Sequence, residues 1–224
     1  KITEALQMVL DYSPFPASVC GQVCPNLCMD ECTRLHVDVP VRIKELGMLS
    51  SDIKGFKPPK DNGHKVAIIG SGGAGLTAAW HLRKRGYTVD VLEADSVIGG
   101  KLRQVIPEER LSRETLDTEI KRILDTGVNV QTDTPVDKAM FDKLLSEYDA
   151  VVVAVGAHNP VVIPFEGHEK LVKGLDFLKE INKGDNPKVG DDVVVIGAGN
   201  AGMDVVIGAY QMGAKKVTAI DIQK

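Results

Sequence analysis

Outside residues 20–32 the chain has no cysteine, and nowhere in its 224 residues is there an apolar run long enough to cross a bilayer. The longest apolar stretches, 150–156 and 193–197, fall far short of the roughly 20 residues a membrane helix needs, so a soluble chain is expected. No block of one charge sign is present either: Lys plus Arg number 27 and Asp plus Glu 31, scattered along the chain, for a net charge of −4. That balance argues against a nucleic-acid partner. The chain opens at Lys1 and lacks the charged, apolar and small-residue order of a signal peptide, so it reads as a cytoplasmic sequence and an excised piece of a longer one. Short-period repeats are missing, and His36, His64, His81, His158 and His168 show no paired metal spacing. With 43% hydrophobic and 26% charged residues, the sequence has the material for one large or two modest globular domains.

What the rest of the chain lacks is concentrated in one window. Cys20, Cys24, Cys28 and Cys32 are spaced C-x3-C-x3-C-x3-C. A disulfide framework would call for an oxidising compartment and for cysteines spread through a small secreted domain. Zinc favours two separated pairs, whereas iron–sulfur clusters accept tight serial spacing, so cluster ligation is the leading reading, with zinc and buried free thiols as alternatives. On an unbroken helix residues 20 and 32 would stand about 18 Å apart, so the chain must bend, and Pro25 offers the place. Alternatively, some of these thiols serve one cluster and the others a second, completed by residues upstream.

Around this window the pattern is modular. Apolar residues at 2, 5, 6, 9 and 10 mark a helix face, 11–17 reads as a proline-rich turn, 41–49 as a second helix and 54–63 as a linker. From residue 65 strands and helices alternate: strand 66–69, helix 74–85, strand 88–92, helix 113–125, strand 128–131, helix 138–146 and strand 150–155. After a connection containing Pro160 and Pro164 come helix 175–181, strand 193–196, helix 202–211 and strand 216–220. This order predicts an α/β fold with mostly parallel sheets. A helical, Cys-rich segment (1–62) is expected to precede a Rossmann-like domain (63–186) and the start of a second one (187–224). Trp80 is read as core, and Glu108 and Glu109 as a solvated turn.

Two glycine loops carry the chemistry. Gly70-Ser71-Gly72-Gly73-Ala74-Gly75 follows a strand and opens a helix, and Glu93 closes the next strand 18 residues later. The first glycine permits the turn, the second lets backbone approach a pyrophosphate, the third allows helix and strand to pack closely, and the acid accepts from a ribose diol. Gly197-Ala198-Gly199-Asn200-Ala201-Gly202 repeats the arrangement, with Asp221 as its acid 19 residues on. Asp204, in the first turn of the second helix, is read as favouring the helix dipole or contacting a ligand. Two fingerprints in one chain suggest two nucleotides, and the pair with a chemical reason to be adjacent is a flavin and a nicotinamide; the alternative is a duplicated domain with one degenerate site.

Several motifs together resemble one family. Pro14-Phe15-Pro16 followed by Cys20-Gly21-Gln22-Val23-Cys24-Pro25, Cys28 and Cys32, then Gly99-Gly100 with Leu102, and Ile106-Pro107-Glu108-Glu109-Arg110-Leu111, are similar to segments of the small subunit of NADPH-dependent glutamate synthase and the N-terminal region of dihydropyrimidine dehydrogenase. Tyr148-Asp149-Ala150 through Ala154-Val155-Gly156 and the run from Gly197 to Asp204 extend the resemblance over essentially the whole chain.

The resemblance implies an electron-transfer flavoprotein in which NAD(P)H reduces FAD and electrons pass through [4Fe-4S] clusters to a larger catalytic or electron-accepting subunit. It implies that Gly70, Gly72, Gly75, Glu93, Gly100, Leu102 and Arg110 hold FAD, with Gly73, Ala74, Lys101, Val136, Ala154 and Gly156 as further cofactor positions. Gly197, Gly199, Asn200, Ala201, Gly202 and Asp221 would face the nicotinamide nucleotide. Cys24, Cys28 and Cys32 are the favoured cluster ligands and Cys20 the weakest, its position not always being cysteine in relatives. The nicotinamide domain would be inserted within a flavin domain whose C-terminal half lies outside this sequence. Lys101, where relatives often carry an apolar residue, has a phosphate contact or solvent as its readings. Asp221, followed by Ile222, Gln223 and only Lys224 as a nearby cation, favours a free 2′-hydroxyl and hence NAD over NADP. No catalytic residue is assigned. The alternative is a nucleotide-binding scaffold or sensor with a structural zinc site.

Overall fold

Short β-branched runs alternating with helices build two parallel sheets in the computed structural model, which describes residues 1–51, 53–159 and 164–221. Pro160 and the Ile222-Gln223-Lys224 end, both used in the sequence reading, lie outside the described residues. Residues 1–102 and 109–156 form one compact unit, and residues 103–108 and 157–224 a second.

The sheet of the first unit has four parallel strands, β1 (Lys65–Ile69), β2 (Thr88–Leu92), β3 (Asn129–Gln131) and β4 (Ala150–Val153), in the order β3-β2-β1-β4. β1 is central, and Val66 to Ile69 are all buried because helices cover both faces of a parallel sheet. Its register with its neighbours pairs Ile69 with Leu92 and with Val153, so the carboxyl ends of three strands finish together. The crossovers are α4 (Gly73–Arg83), α6 (Arg113–Leu124) and α7 (Lys138–Glu147). Ser112 caps α6 by accepting from Thr115 N, and Asp137 caps α7 by accepting from Met140 N. Leu144 of α7 joins Ala67, Ile69 and Leu92 in one core cluster. A short helix absent from the sequence reading, α5 (Lys101–Gln104), follows the second glycine pair.

The cysteine segment belongs to this same unit. Helix α1 (Ile2–Tyr12) buries Leu6 and Leu10, and the carbonyl of Leu10 accepts from the indole of the fully buried Trp80 at 3.0 Å. The expected turn over 11–17 is shorter than that, because a π-helix begins at Pro16 and runs to Val23, proline being tolerated where no amide is needed. Cys24 N closes it on Val19 O at 2.8 Å. The chain then bends through an extended Cys24 and a left-handed Asn26 into α2 (Leu27–Asp30), a 3-10 turn (Thr33–His36) and α3 (Ile43–Met48). The bend falls around Pro25. Residues 54–63 have no regular structure, yet Phe56 stacks edge-on against Trp80 at 4.5 Å and Asn62 N donates to Gly86 O. These contacts tie the stretch to the first unit at Phe56 and Asn62, and the expected segment limits 62/63 and 186/187 fall inside the two compact units.

The second unit is smaller. It contains a 3-10 turn (His168–Lys170), α8 (Gly174–Asn182), β5 (Asp192–Ile196), α9 (Asn200–Gln211) and β6 (Lys216–Ile220), the two strands pairing in parallel. Phe177, Ala209 and Ala214 centre its core. Gly208 lets α8 approach α9: a β-carbon there would stand 2.9 Å from Ile181 Cδ1. Among the described residues no helix is long and apolar enough to cross a membrane.

Candidate functional site

The first glycine loop sits where β1, β2 and β4 end. Gly70 N donates to Leu92 O, and Gly70 has φ +103°, a conformation that needs glycine. Gly75 is pressed onto that turn: a β-carbon on it would stand 2.0 Å from Gly70 O. Gly72, by contrast, has nothing within 4 Å of the place a side chain would fill. It is also the N-cap of α4, and no side chain caps that helix, unlike α6 and α7. The first turn of an α-helix presents unpaired N–H groups and a partial positive charge, so an open, uncapped start next to Gly72 suits a pyrophosphate. The second glycine pair closes over it, with Gly100 (φ +52°) against the Gly72 backbone and Leu102 Cδ1 beside Gly73.

Glu93 is buried at the end of β2 and fixes the loop. Its Oε2 accepts from Ser71 N at 2.8 Å and from Ser71 Oγ at 2.5 Å, and its Oε1 accepts from Asp95 N at 2.9 Å. Each carboxylate oxygen has about two acceptor positions, so Oε1 keeps room for a ribose hydroxyl. Ser71 is the residue the sequence reading passed over. A hydroxyl within the glycine loop, 22 positions before an acid at the next strand end, was the available signal.

The second loop repeats this geometry in its own unit. Gly197 N donates to Ile220 O, Gly197 has φ +105°, and a β-carbon on Gly202 would stand 1.9 Å from Gly197 O. Gly199, the N-cap of α9, again has no side-chain cap and nothing within 4 Å of a built β-carbon. Asp221 Oδ2 accepts from Ala198 N at 3.0 Å, matching the bond from Ser71 N to Glu93. With alanine in place of serine, this loop lacks the hydroxyl that Ser71 donates to Glu93, and its acid is shorter and exposed. Asn200 and Ala201 form the exposed first turn of α9, and Asp204 is buried one turn further on.

The remaining predicted positions divide. Ala154 lies against Gly70 at the end of β4, and Gly156 follows with φ +76°. Ala74 and Lys101 are exposed at the starts of their helices, and Arg110 is half-buried just before α6. Val136 packs against the core cluster of Ala67, Ile69, Leu92 and Leu144. Glu108 and Glu109 are exposed, as expected of a solvated turn.

The four thiols are not gathered into one ligand set. Burial pushes the half-buried Cys20 thiol up, and Cys24 and Cys28 push it further. Cys32 lies at the start of the 3-10 turn, where backbone N–H groups of Val41 and Arg34 hold its thiol below the ordinary value. Among the described residues no three His, Cys, Asp or Glu side chains converge closely enough to hold a metal ion. As they stand, these residues do not make a complete site for an iron–sulfur cluster or for zinc.

Glu119 and Arg122, which the sequence reading did not single out, fasten the cysteine segment to the sheet. Glu119 is fully buried on α6 and accepts from Ala17 N at 2.7 Å, from Ser18 N at 3.0 Å and, in a short bond, from Ser18 Oγ. Arg122 Nη1 lies 3.7 Å from Glu119 Oε1, and its Nη2 donates to Ser50 O and Ser51 O. The signal was an acid and a base among Leu116, Ile120 and Ile123 on the inner face of an amphipathic helix.

Comparison with known proteins agrees with this geometry. The sequence profile of the family described as pyridine nucleotide-disulphide oxidoreductase matches residues 64–224. The NADPH-Fe(3+) oxidoreductase subunit beta of Geobacter sulfurreducens is 35% identical over 235 residues, covering 98% of this chain and 35% of that protein. The NAD-dependent dihydropyrimidine dehydrogenase subunit PreT of Escherichia coli O157:H7 is 33% identical over 213 residues, covering 91% of this chain and 52% of that protein. The chain thus spans between a third and about half the length of these relatives. Among solved structures, Mycobacterium tuberculosis FprA in complex with NADPH superposes with a TM-score of 0.59 at 22% identity, over 70% of this chain and 43% of that one, a likeness of fold. With a profile match spanning both glycine loops and their acids, and relatives at this identity over nearly its whole length, the chain belongs to the pyridine nucleotide-disulphide oxidoreductase family.

Proposed function

We propose that this chain is the nucleotide-binding part of an NAD(P)H-dependent electron-transfer flavoprotein, similar to the glutamate synthase small subunit and acting with a larger partner subunit in the cytoplasm. The observation that carries the reading is the pair of equivalent loops, each with an open, uncapped helix start and an acid from the next strand accepting from the loop amide. The loop at Gly70–Gly75, with Glu93, Gly100, Leu102 and Arg110, is assigned to FAD. The loop at 197–202, with Asp221, is assigned to the nicotinamide nucleotide. Bound FAD supplies the exchange between two-electron hydride chemistry and single-electron transfer. The α4 N-terminus beside Gly72 and Gly100 would hold its pyrophosphate, and Glu93 would accept from its ribose. An acid at Asp221 would repel a 2′-phosphate and accept from a free 2′-hydroxyl, which supports NAD in preference to NADP. Relatives include both an NADPH-named and an NAD-named subunit.

Iron–sulfur ligation by Cys24, Cys28 and Cys32, with Cys20 as the fourth thiol of the window, rests on spacing, and its complete ligand set is not met by the described residues. The test is an anaerobic absorption spectrum of the full-length protein with iron, sulfide and zinc analysis on the same sample. Flavin bands with a broad shoulder and matched iron and sulfide are expected, and Cys28→Ala is expected to remove the shoulder. A colourless protein containing zinc would replace this reading with a nucleotide-binding scaffold.

Glu93→Ala is expected to weaken FAD binding by about 10- to 100-fold, since a hydrogen bond to a charged group contributes about 1.5–3 kcal/mol. Flavin fluorescence titration measures the loss, and circular dichroism checks that the domain still folds. Unchanged occupancy would remove the first loop from the flavin site.

A further inference from the structure

One side chain of the cysteine segment reaches the start of α6. Gln22 lies between Cys20 and Cys24, near the end of the π-helix. Its Oε1 accepts from Ser112 N at 2.7 Å, and its Nε2 donates to Thr115 Oγ1 at 3.0 Å. Ser112 is the N-cap of α6, and its hydroxyl accepts from Thr115 N. Gln22 therefore braces the helix start from outside, one atom accepting from the cap residue and the other donating to the first turn. Ser112 directly follows Arg110 and the fully buried Leu111, in the turn assigned above to the flavin.

The brace is stiff at its base. A β-carbon on Gly21 would stand 2.7 Å from Met48 Cγ, and one on Gly47 would stand 2.6 Å from Pro16 O, so the π-helix lies directly on α3. Its other end is held by Glu119, two turns further along the same α6. Both ends of the π-helix are thus tied to α6, one through Glu119 and the other through Gln22.

We propose that Gln22 is a positioning residue for the flavin: from within the cysteine segment it sets the Arg110–Ser112 turn, and flavin retention depends on it although it is not itself in the glycine loops. This rests on assigning the first glycine loop to the flavin. In the full-length protein, Gln22→Ala is expected to weaken FAD binding about tenfold and to lower amide-exchange protection at residues 112–115 by a similar factor. Gln22→Glu is expected to restore both, because a carboxylate accepts from Ser112 N, lets the Thr115 hydroxyl turn to donate, and suits a helix N-terminus. Thr115→Val, which removes one of the two bonds and keeps the side-chain shape, is expected to give about a threefold loss and serves if Gln22→Ala does not fold. Lost protection at 112–115 with flavin affinity unchanged overturns the positioning role, and unchanged protection in Gln22→Ala overturns the brace itself. A wild-type protein that binds no flavin overturns the flavin assignment, and the exchange measurement then still decides the brace.

Discussion

Glu119→Ala is expected to lower the unfolding free energy by about 3–5 kcal/mol, the range for removing one partner of a buried ion pair. The truncation leaves Ala17 N and Ser18 N without their acceptor and strands the Arg122 charge beside the cavity, in a region where all these groups are buried. Urea titration of the full-length protein reads the effect as a lower midpoint. Glu119 also has a distinct pH signature. Burial raises its carboxyl above the usual value, more than its hydrogen bonds and Arg122 lower it. The folded chain therefore holds the proton more tightly than the unfolded one, and between the ordinary carboxylate range near 4.5 and the raised folded value Glu119 makes stability fall as pH rises. Ordinary salt-bridged carboxylates act in the opposite sense. Glu119→Gln is expected to flatten that slope, and a slope unchanged in the variant would assign it to another group.

Gly75→Ala is expected to abolish flavin retention and to destabilise the first unit by about 3 kcal/mol, at the upper end of overpacking costs. The reason is backbone against backbone: the new β-carbon would stand 2.0 Å from Gly70 O, and neither atom belongs to a side chain that could turn away. Relief would require α4 to move off β1 and carry its open N-terminus from the phosphate position. Gly202→Ala meets the same obstacle at 1.9 Å from Gly197 O. The two variants are expected to separate the cofactors. Gly75→Ala loses flavin absorbance, whereas Gly202→Ala keeps it and loses reduction by the nicotinamide nucleotide. Flavin kept in Gly75→Ala and lost in Gly202→Ala would reverse the assignment of the loops.

Both glycine loops were legible because each is a local object. A turn with positive φ, an open second glycine and a close third one are set by six consecutive residues, and the acid follows one strand later, so spacing alone locates them. Strand and helix order was legible for the same reason, although α4 begins at Gly73 and α9 at Asn200, inside the loops. The early starts follow from the loop amides turning into the first helical turn. Val136, named as a cofactor position, is partly buried against the core cluster, a placement that spacing alone does not give.

By itself the sequence determined what depends on near neighbours: the parallel α/β pattern, two nucleotide fingerprints with Glu93 and Asp221 as their acids, and a cysteine window that must bend. Only the tertiary structure decided how that window is used. It seats the π-helix on α6 through Glu119 and Gln22 and packs the linker against Trp80. These are contacts between residues some 20 to 100 positions apart, and their energy comes from burial and from satisfying amides and charges that have no water. No local periodicity records which distant partner will meet that need.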